Sequence, residues 1–141
     1  MVLKPGTKVT SKEIAKMIDH SLLRPELTRQ DVSGGCFLAK KYDCATVCVK
    51  PGDVEIANMI LEGTDVLVTT VIGFPHGSNL TAVKTLEALF AIEQGCKELD
   101  MVLNIGRLKS GDYDLVENDM RAVCELAHKN GVKVKIIFES P

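Results

Sequence analysis

The sequence contains no tryptophan, no block of Lys or Arg, and no apolar run of the roughly 18–20 residues that a membrane-spanning helix needs. Its formal net charge is −2 and its pI is about 5.9, so nothing in the charge balance favours a nucleic acid or an anionic membrane as partner. The first residues, MVLKPGTKVTSKEIAK, lack the apolar stretch of a signal peptide. We therefore expect a cytoplasmic globular protein that binds neither nucleic acid nor membrane.

The cysteines do not form a recognisable framework. None of them belongs to a CxxC pair, their number is odd, and the three histidines do not join them at metal-ligand spacing. We expect reduced thiols packed as small apolar side chains, with neither a disulfide framework nor a zinc site. The five are Cys36, Cys44, Cys48, Cys96 and Cys124.

Three common motifs of α/β enzymes are also missing. The chain has no GxGxxG after its first strand, no GxxxxGK[ST] and no GxSxG. Their absence argues against a nucleotide-binding Rossmann or P-loop protein and against a nucleophile-elbow hydrolase.

Apolar, β-branched segments alternate with helical ones along the chain. The pattern predicts strands at 18–23, 44–51, 65–77, 98–105 and 132–140, the third of which runs into a loop. It predicts helices at 11–18, 29–42, 53–63, 78–96 and 115–131, and a loop at 106–114. This rhythm favours parallel βαβ units, and it fits either a doubly wound open sheet or part of a (β/α)₈ barrel.

Several residues are typical of helix ends. Ser11 and Thr28 are expected N-caps, and Ser78 or Asn79 is expected to cap the fourth helix. A pair of glycines at 34–35 weakens the second helix and predicts an irregular middle.

A carboxylate interrupts the apolar segment ELDMVLNIG at Asp100. Because side chains alternate along a strand, Asp100, Asn104, Lys135 and Glu139 are expected to face one interior, and Asp19 could join them. Carboxylates and lysines enclosed together acquire shifted pKa values and can transfer protons. The alternative is a structural Asp100, satisfied by backbone N–H groups or by a lysine.

Two further side chains have a structural interpretation. His76, in FPHG, is typical of a turn. Cys48 is interpreted as core or pocket wall rather than as a nucleophile, because no base is paired with it.

Five segments, in order and at matching spacing, resemble deoxyribose-phosphate aldolase from about residue 12 to 141. They are IDHSLLRPELT, VCVKP, TVIGFPHG, ELDMVLNIGRLKSGDYDLVENDMRAV and VKIIFES. The resemblance implies a Schiff-base (class I) aldolase on a (β/α)₈ barrel that needs no metal or other cofactor. It implies a phosphorylated sugar or aldehyde substrate, since the family reversibly cleaves 2-deoxyribose 5-phosphate to glyceraldehyde 3-phosphate and acetaldehyde.

The resemblance also assigns roles to residues. Asp100 matches the family's catalytic aspartate, and Lys135 matches a supporting lysine of the barrel interior, with Asn104 expected beside it. The positions that match the substrate pocket are Asp19, Ser21, Leu23, Cys48 and Phe74.

The chain departs from the family pattern at its C-terminal side. The family's Schiff-base lysine lies on the sixth strand, its second lysine on the seventh, and its phosphate site on the last strands. None of these segments is present in this sequence, and a complete barrel needs about 200 residues or more. Residues 1–141 are therefore expected to form a single domain, the first five strands of an aldolase barrel.

A partial barrel has two unpaired edges and an exposed interior face. We expect a homo-oligomer, dimer or higher, without efficient activity of its own. The alternatives are a non-catalytic half-barrel that oligomerises as a scaffold or binding protein, and a small flavodoxin-like α/β protein.

Overall fold

The computed structural model describes residues 4–139, which contain one parallel sheet in the strand order β1-β2-β3-β4-β5. A flavodoxin-like sheet reverses its strand order at a switch point. Because the order here is strictly sequential, the flavodoxin-like alternative is wrong. The strands are β1 (Asp19–Leu22), β2 (Thr46–Val49), β3 (Leu67–Ile72), β4 (Glu98–Val102) and β5 (Lys133–Ile137).

Helices connect the strands, and one of them was not expected. They are α1 (Ser11–Ala15), α2 (Arg29–Tyr42), α3 (Val54–Leu61, after a 3₁₀ turn at Pro51–Asp53), α4 (Thr81–Glu93), α5 (Ile105–Lys109) and α6 (Tyr113–Lys129). The prediction of a loop at 106–114 is wrong over α5. Asn104 causes the difference, because its Oδ1 accepts a hydrogen bond from the backbone N–H of Arg107 at 3.2 Å and so caps a short helix.

The helix starts confirm one of the expected caps and correct two. Thr28 caps α2 in a reciprocal arrangement with Asp31. The first helix is capped by Thr10, paired with Glu13, and not by Ser11. No side chain caps α4, which begins after Leu80, so the expected caps at 78 and 79 are wrong.

The two faces of the sheet differ in character. One face packs against the helices through apolar side chains that alternate along each strand, including Val47, Val49, Val68, Ile72, Leu99 and Met101. The intervening positions face the other way and include Asp19, Cys48, Asp100 and Lys135, which contact one another. Helices α2, α3, α4 and α6 therefore cover one side, as in the wall of a β/α barrel.

A contact between the two edge strands shows that the sheet is strongly curved. Strands lie about 4.8 Å apart, so a flat five-stranded sheet would separate β1 from β5 by about 19 Å. Yet Lys135 Nζ on β5 lies 2.5 Å from Asp19 Oδ2 on β1. The predicted partial barrel of five parallel strands with flanking helices is confirmed, although the sheet is not closed. Over residues 4–139 no helix is long and apolar enough to cross a membrane.

The glycine pair that we expected to disrupt α2 lies inside a continuous helix. A Cβ on Gly35 would lie 2.4 Å from Leu22 Cδ2, so this glycine admits the side chain of β1 against the helix. Gly34, one residue earlier, faces open space.

We predict opposite effects for alanine at these two positions. Gly35→Ala should lower the free energy of unfolding by about 1 kcal/mol or more, because the overpacking cost of about 1–3 kcal/mol exceeds the gain in helix propensity. Gly34→Ala, the matched control, should raise it by about 0.5–1 kcal/mol. Urea denaturation followed by circular dichroism measures both, and equal effects would refute the packing role of Gly35.

Candidate active site

Three charged side chains meet on the concave face of the sheet, which we call the lumen. Lys135 Nζ lies 2.5 Å from Asp19 Oδ2 and 3.1 Å from Asp100 Oδ1, so one ammonium group bridges two carboxylates. Thr46 on β2 donates a hydrogen bond to Asp19 Oδ1 at 2.8 Å. Strands β1, β2, β4 and β5 thus each contribute a group to the cluster, as expected for alternating side chains on a curved sheet.

Asp100 is the most enclosed of the three, with 13% of its side chain exposed, against 42% for Asp19 and 39% for Lys135. Burial raises the pKa of Asp100 above the ordinary aspartate value, although the contacts with Lys135 and Cys48 oppose that rise. A carboxyl group enclosed beside a fixed cation is a candidate for proton transfer to a bound substrate.

The pKa values of Asp19 and Lys135 also shift, in the directions that their contacts with neighbouring groups favour. Burial opposes the charged form of Asp19, but hydrogen bonds from Lys135 and Thr46 outweigh it and lower the pKa of that carboxyl. Burial likewise opposes the ammonium form of Lys135, but its bonds to Asp19 and Asp100 outweigh that effect and raise its pKa. Lys135 is therefore held as an ammonium ion.

Cys48 behaves as a neutral donor. Its Sγ lies 3.5 Å from Asp100 Oδ2, and the thiol is buried. Burial and the neighbouring Asp100 raise the pKa of Cys48, so the reactive thiolate is not formed at neutral pH. A neutral thiol is not the reactive form of cysteine, and the assignment of Cys48 to the core or the pocket wall stays a prediction.

The other expected site residues lie around the cluster or apart from it. Ser21 is beside Cys48 in the pairing of β1 with β2, and Phe74 lies 40% exposed in the loop after β3. Leu23 is half-buried just after β1. Asn104 is used as the cap of α5, and Glu139 lies exposed beyond the end of β5, so the structure does not bring these two into the ion-pair cluster.

Sequence reasoning missed Glu98, which extends the cluster. Its Oε2 lies 3.5 Å from Lys135 Nζ, and its side chain is 14% exposed. The alternation of side chains along the strand could have predicted this, because Glu98 precedes Asp100 by two residues and therefore shares its face of the strand.

A second buried ion pair was also missed. Lys84 on α4 and Asp119 on α6 are 0% and 2% exposed, and Lys84 Nζ lies 2.6 Å from Asp119 Oδ2. Lys84 lies on the same helix face as the buried Ala88 and Ala91 of α4, and Asp119 lies on the same face as the buried Val116 and Val123 of α6. A charged residue on each of two apolar helix faces was the signal for a matched pair.

The described residues also show no metal centre. Within residues 4–139, no group of three or more His, Cys, Asp and Glu side chains is placed to hold a metal ion.

Sequential parallel strands, helices on one side and a lysine–carboxylate cluster on the other define this chain as part of a β/α barrel with a polar lumen. The proteins that it is similar to are deoxyribose-phosphate aldolases. The curated deoxyribose-phosphate aldolase of Rhodopirellula baltica is 48% identical over 128 residues, which are 91% of this chain and 53% of the relative.

Solved structures give the same result. A crystal structure of a proposed deoxyribose-phosphate aldolase from Coccidioides immitis matches 93% of this chain and 51% of its own, with a TM-score of 0.89 and 40% identity. The tetrameric deoxyribose phosphate aldolase of Aeropyrum pernix matches 94% of this chain and 55% of its own, with a TM-score of 0.86 and 30% identity. No family model matches the chain.

The resemblance drawn from the five sequence segments is thereby confirmed. The chain spans about half the length of the curated relatives that it matches, which is consistent with the expectation of a partial barrel.

The bridging role of Lys135 predicts how its loss changes the two carboxyl groups. In Lys135→Met the pKa of Asp19 should rise toward its ordinary value, because the main contact that lowers it is gone, and the pKa of Asp100 should rise further. A carboxyl pKa that is lowered on folding stabilises the fold above the unfolded-state pKa, and this contribution is lost as pH falls through the folded pKa. The variant should therefore lose the contribution of Asp19 to stability above about pH 4.

Carboxyl ¹³C NMR titration of Asp19 and Asp100 measures these changes. Lys133→Met is the matched control, since Lys133 is on the same strand but 80% exposed and 3.6 Å from Glu98. If the two variants leave Asp19 and Asp100 with the same titration midpoints, Lys135 does not hold the cluster.

Proposed function

We propose that this chain provides the proton-handling part of a Schiff-base aldolase site for 2-deoxyribose 5-phosphate. The reaction is reversible cleavage to glyceraldehyde 3-phosphate and acetaldehyde, through an imine between a lysine and the aldehyde. The similarity to deoxyribose-phosphate aldolases supports the reaction class. The observation that carries the proposal is the half-buried Asp100, with its raised pKa, beside the Lys135 ammonium in the lumen.

In this proposal Asp100 moves protons to and from the substrate and the imine. Its enclosed position beside Lys135 and its raised pKa are compatible with that role. Lys135 and Asp19 supply a neighbouring pair of charges that orients the carboxyl group. Ser21, Leu23, Cys48 and Phe74 line the pocket around the aldehyde, and Asn104 supports the strand end that follows Asp100.

The lysine that forms the imine is not Lys135 or Lys50. A nucleophilic amine must be unprotonated, whereas Lys135 is an ammonium held by two carboxylates. Lys50, at the end of β2, donates hydrogen bonds to the carbonyls of Arg24 and Leu27 and lies 3.4 Å from Asp53. We infer that the imine lysine and the phosphate site come from the part of the barrel that follows the first five strands.

The open edges support an assembled state for the working protein. Within the part of the chain that the structure describes, strands β1 and β5 are each unpaired on one side, and such edges are normally covered. We propose that residues 1–141 are the N-terminal portion of the barrel and that the complete unit forms an oligomer, in line with the tetrameric Aeropyrum pernix relative.

Borohydride trapping tests the function directly. The purified chain is incubated with 2-deoxyribose 5-phosphate and reduced with borohydride, and its mass is measured by intact-protein mass spectrometry. A second sample also contains the part of the Rhodopirellula baltica relative that this chain does not match. We expect no stoichiometric adduct on the chain alone, and an adduct on the added segment in the mixture. The same relative, divided into two pieces at the same point, is the positive control.

Variants of the chain complete the experiment. Asp100→Asn should slow trapping in the mixture about 100-fold or more, since positioned acid–base groups contribute about 10²–10⁴ in rate. Asp114→Asn, an exposed carboxyl on α6, should leave it unchanged. An adduct on Lys50 or Lys135 in the chain alone would overturn our assignment of the imine lysine. A discrete oligomer that binds the segment without any adduct would favour the scaffold alternative.

A further inference from the structure

The Lys84–Asp119 ion pair lies on the helix-covered side of the sheet, behind the strand that carries Asp100. Besides its 2.6 Å contact with Asp119, Lys84 Nζ donates a hydrogen bond at 3.0 Å to the backbone carbonyl of Val102. Val102 is the last residue of β4 and follows Asp100 by two positions. One ammonium group therefore links α4 and α6 to the end of this strand.

The same lysine supports the loop that leaves β3. A Cβ on Gly73 would lie 2.7 Å from Lys84 Cε, so the backbone at the start of this loop rests directly on the lysine stem. Glu87, one turn further along α4, accepts a hydrogen bond from the Gly73 N–H at 2.8 Å. A Cβ on Gly77 would lie only 1.9 Å from the carbonyl oxygen of Leu103. The loop is thus held between Lys84 and the residues just after β4.

These contacts are more specific than packing requires. Two buried charges lose their hydration, and apolar side chains of similar volume often stabilise such a position as well or better. An apolar pair, however, offers no donor to the Val102 carbonyl and no fixed direction for the strand end. Fixing the direction of the strand end is therefore something that the Lys84–Asp119 ion pair can do and an apolar pair cannot.

We propose that Lys84 and Asp119 are positioning residues, which fix the end of β4 and the 73–77 loop so that Asp100 and Phe74 hold their places in the site. Their relevance to catalysis rests on the proposed aldolase function, whereas the positioning itself can be measured in this chain alone. Neither residue faces the lumen, and neither contacts the groups that surround Asp100, which are Lys135, Cys48 and, through Lys135, Asp19 and Glu98.

The test replaces the pair with apolar side chains in the full chain. Lys84→Met/Asp119→Val removes both charges together, so no unpaired buried charge is left and folding should persist. We expect hydrogen exchange at the amides of Gly77 and Leu103 to become about tenfold faster relative to Val47 on β2. We also expect the Asp100 carboxyl to titrate higher, with about threefold greater proton affinity, because a looser β4 weakens its contacts with Lys135 and Cys48.

A matched control removes a surface ion pair from the same helix. Arg121 and Glu117 form an exposed pair on α6, and Arg121→Gln/Glu117→Gln should change neither measurement. Lys84→Gln/Asp119→Asn keeps polar side chains in both positions without either charge, and it should show a smaller change in the same direction. It also serves as the test if the Lys84→Met/Asp119→Val variant does not fold.

The outcomes separate this proposal from the proposed function. Unchanged exchange at Gly77 and Leu103 and an unchanged Asp100 titration in folded variants would overturn the positioning role, whatever the chain catalyses. If those two measurements change as expected while the completed barrel traps no imine, positioning is supported and the aldolase proposal fails. If both hold, trapping by the Lys84→Met/Asp119→Val variant in the mixture should slow about tenfold, with little change in the substrate concentration for half-maximal rate.

Discussion

The bridge from Lys135 to Asp19 shows the bend of the sheet, on which the rest of the site depends. It joins the first and last strands of the sheet across the lumen, so it can form only if the sheet bends. The bend in turn places Asp100 against the same ammonium group and leaves 13% of its side chain exposed. Curvature, enclosure and the raised pKa of Asp100 are therefore parts of one arrangement, and the polar site cannot be separated from the architecture that contains it.

Strand β4 lies between two sets of charges with different exposure. On the lumen side, Asp100 and Glu98 share Lys135, which remains 39% exposed to solvent. On the helix side, Lys84 and Asp119 are almost wholly enclosed. Solvent access lets the first set exchange protons, whereas enclosure holds the second set in one geometry. In our two proposals, the same kinds of residue serve proton transfer on one face of the strand and positioning on the other.

Much of the fold and part of the site could be predicted from the sequence, because both depend on the alternation of side chains in strands. That rule placed Asp100 and Lys135 on one face, and the capping rule placed Thr28 at the start of α2. Prediction from the sequence failed where a contact between residues distant in sequence decides the structure. Gly35 looked like a weakness in α2, but it admits Leu22. Local patterns place Lys84 and Asp119 on the apolar faces of their helices, but their pairing, 35 residues apart, depends on the packing of α4 on α6.

The sequential strand order has a consequence for how the chain folds during synthesis. Each of the strands β2 to β5 pairs with the strand before it in the sequence, so each β/α unit can add to existing strands as it leaves the ribosome. Contacts of this kind are comparatively local and form early. The Lys135–Asp19 bridge joins residues 116 positions apart, and it can close only after the fifth strand has emerged. Until that moment the growing sheet is free to remain flatter than the finished one.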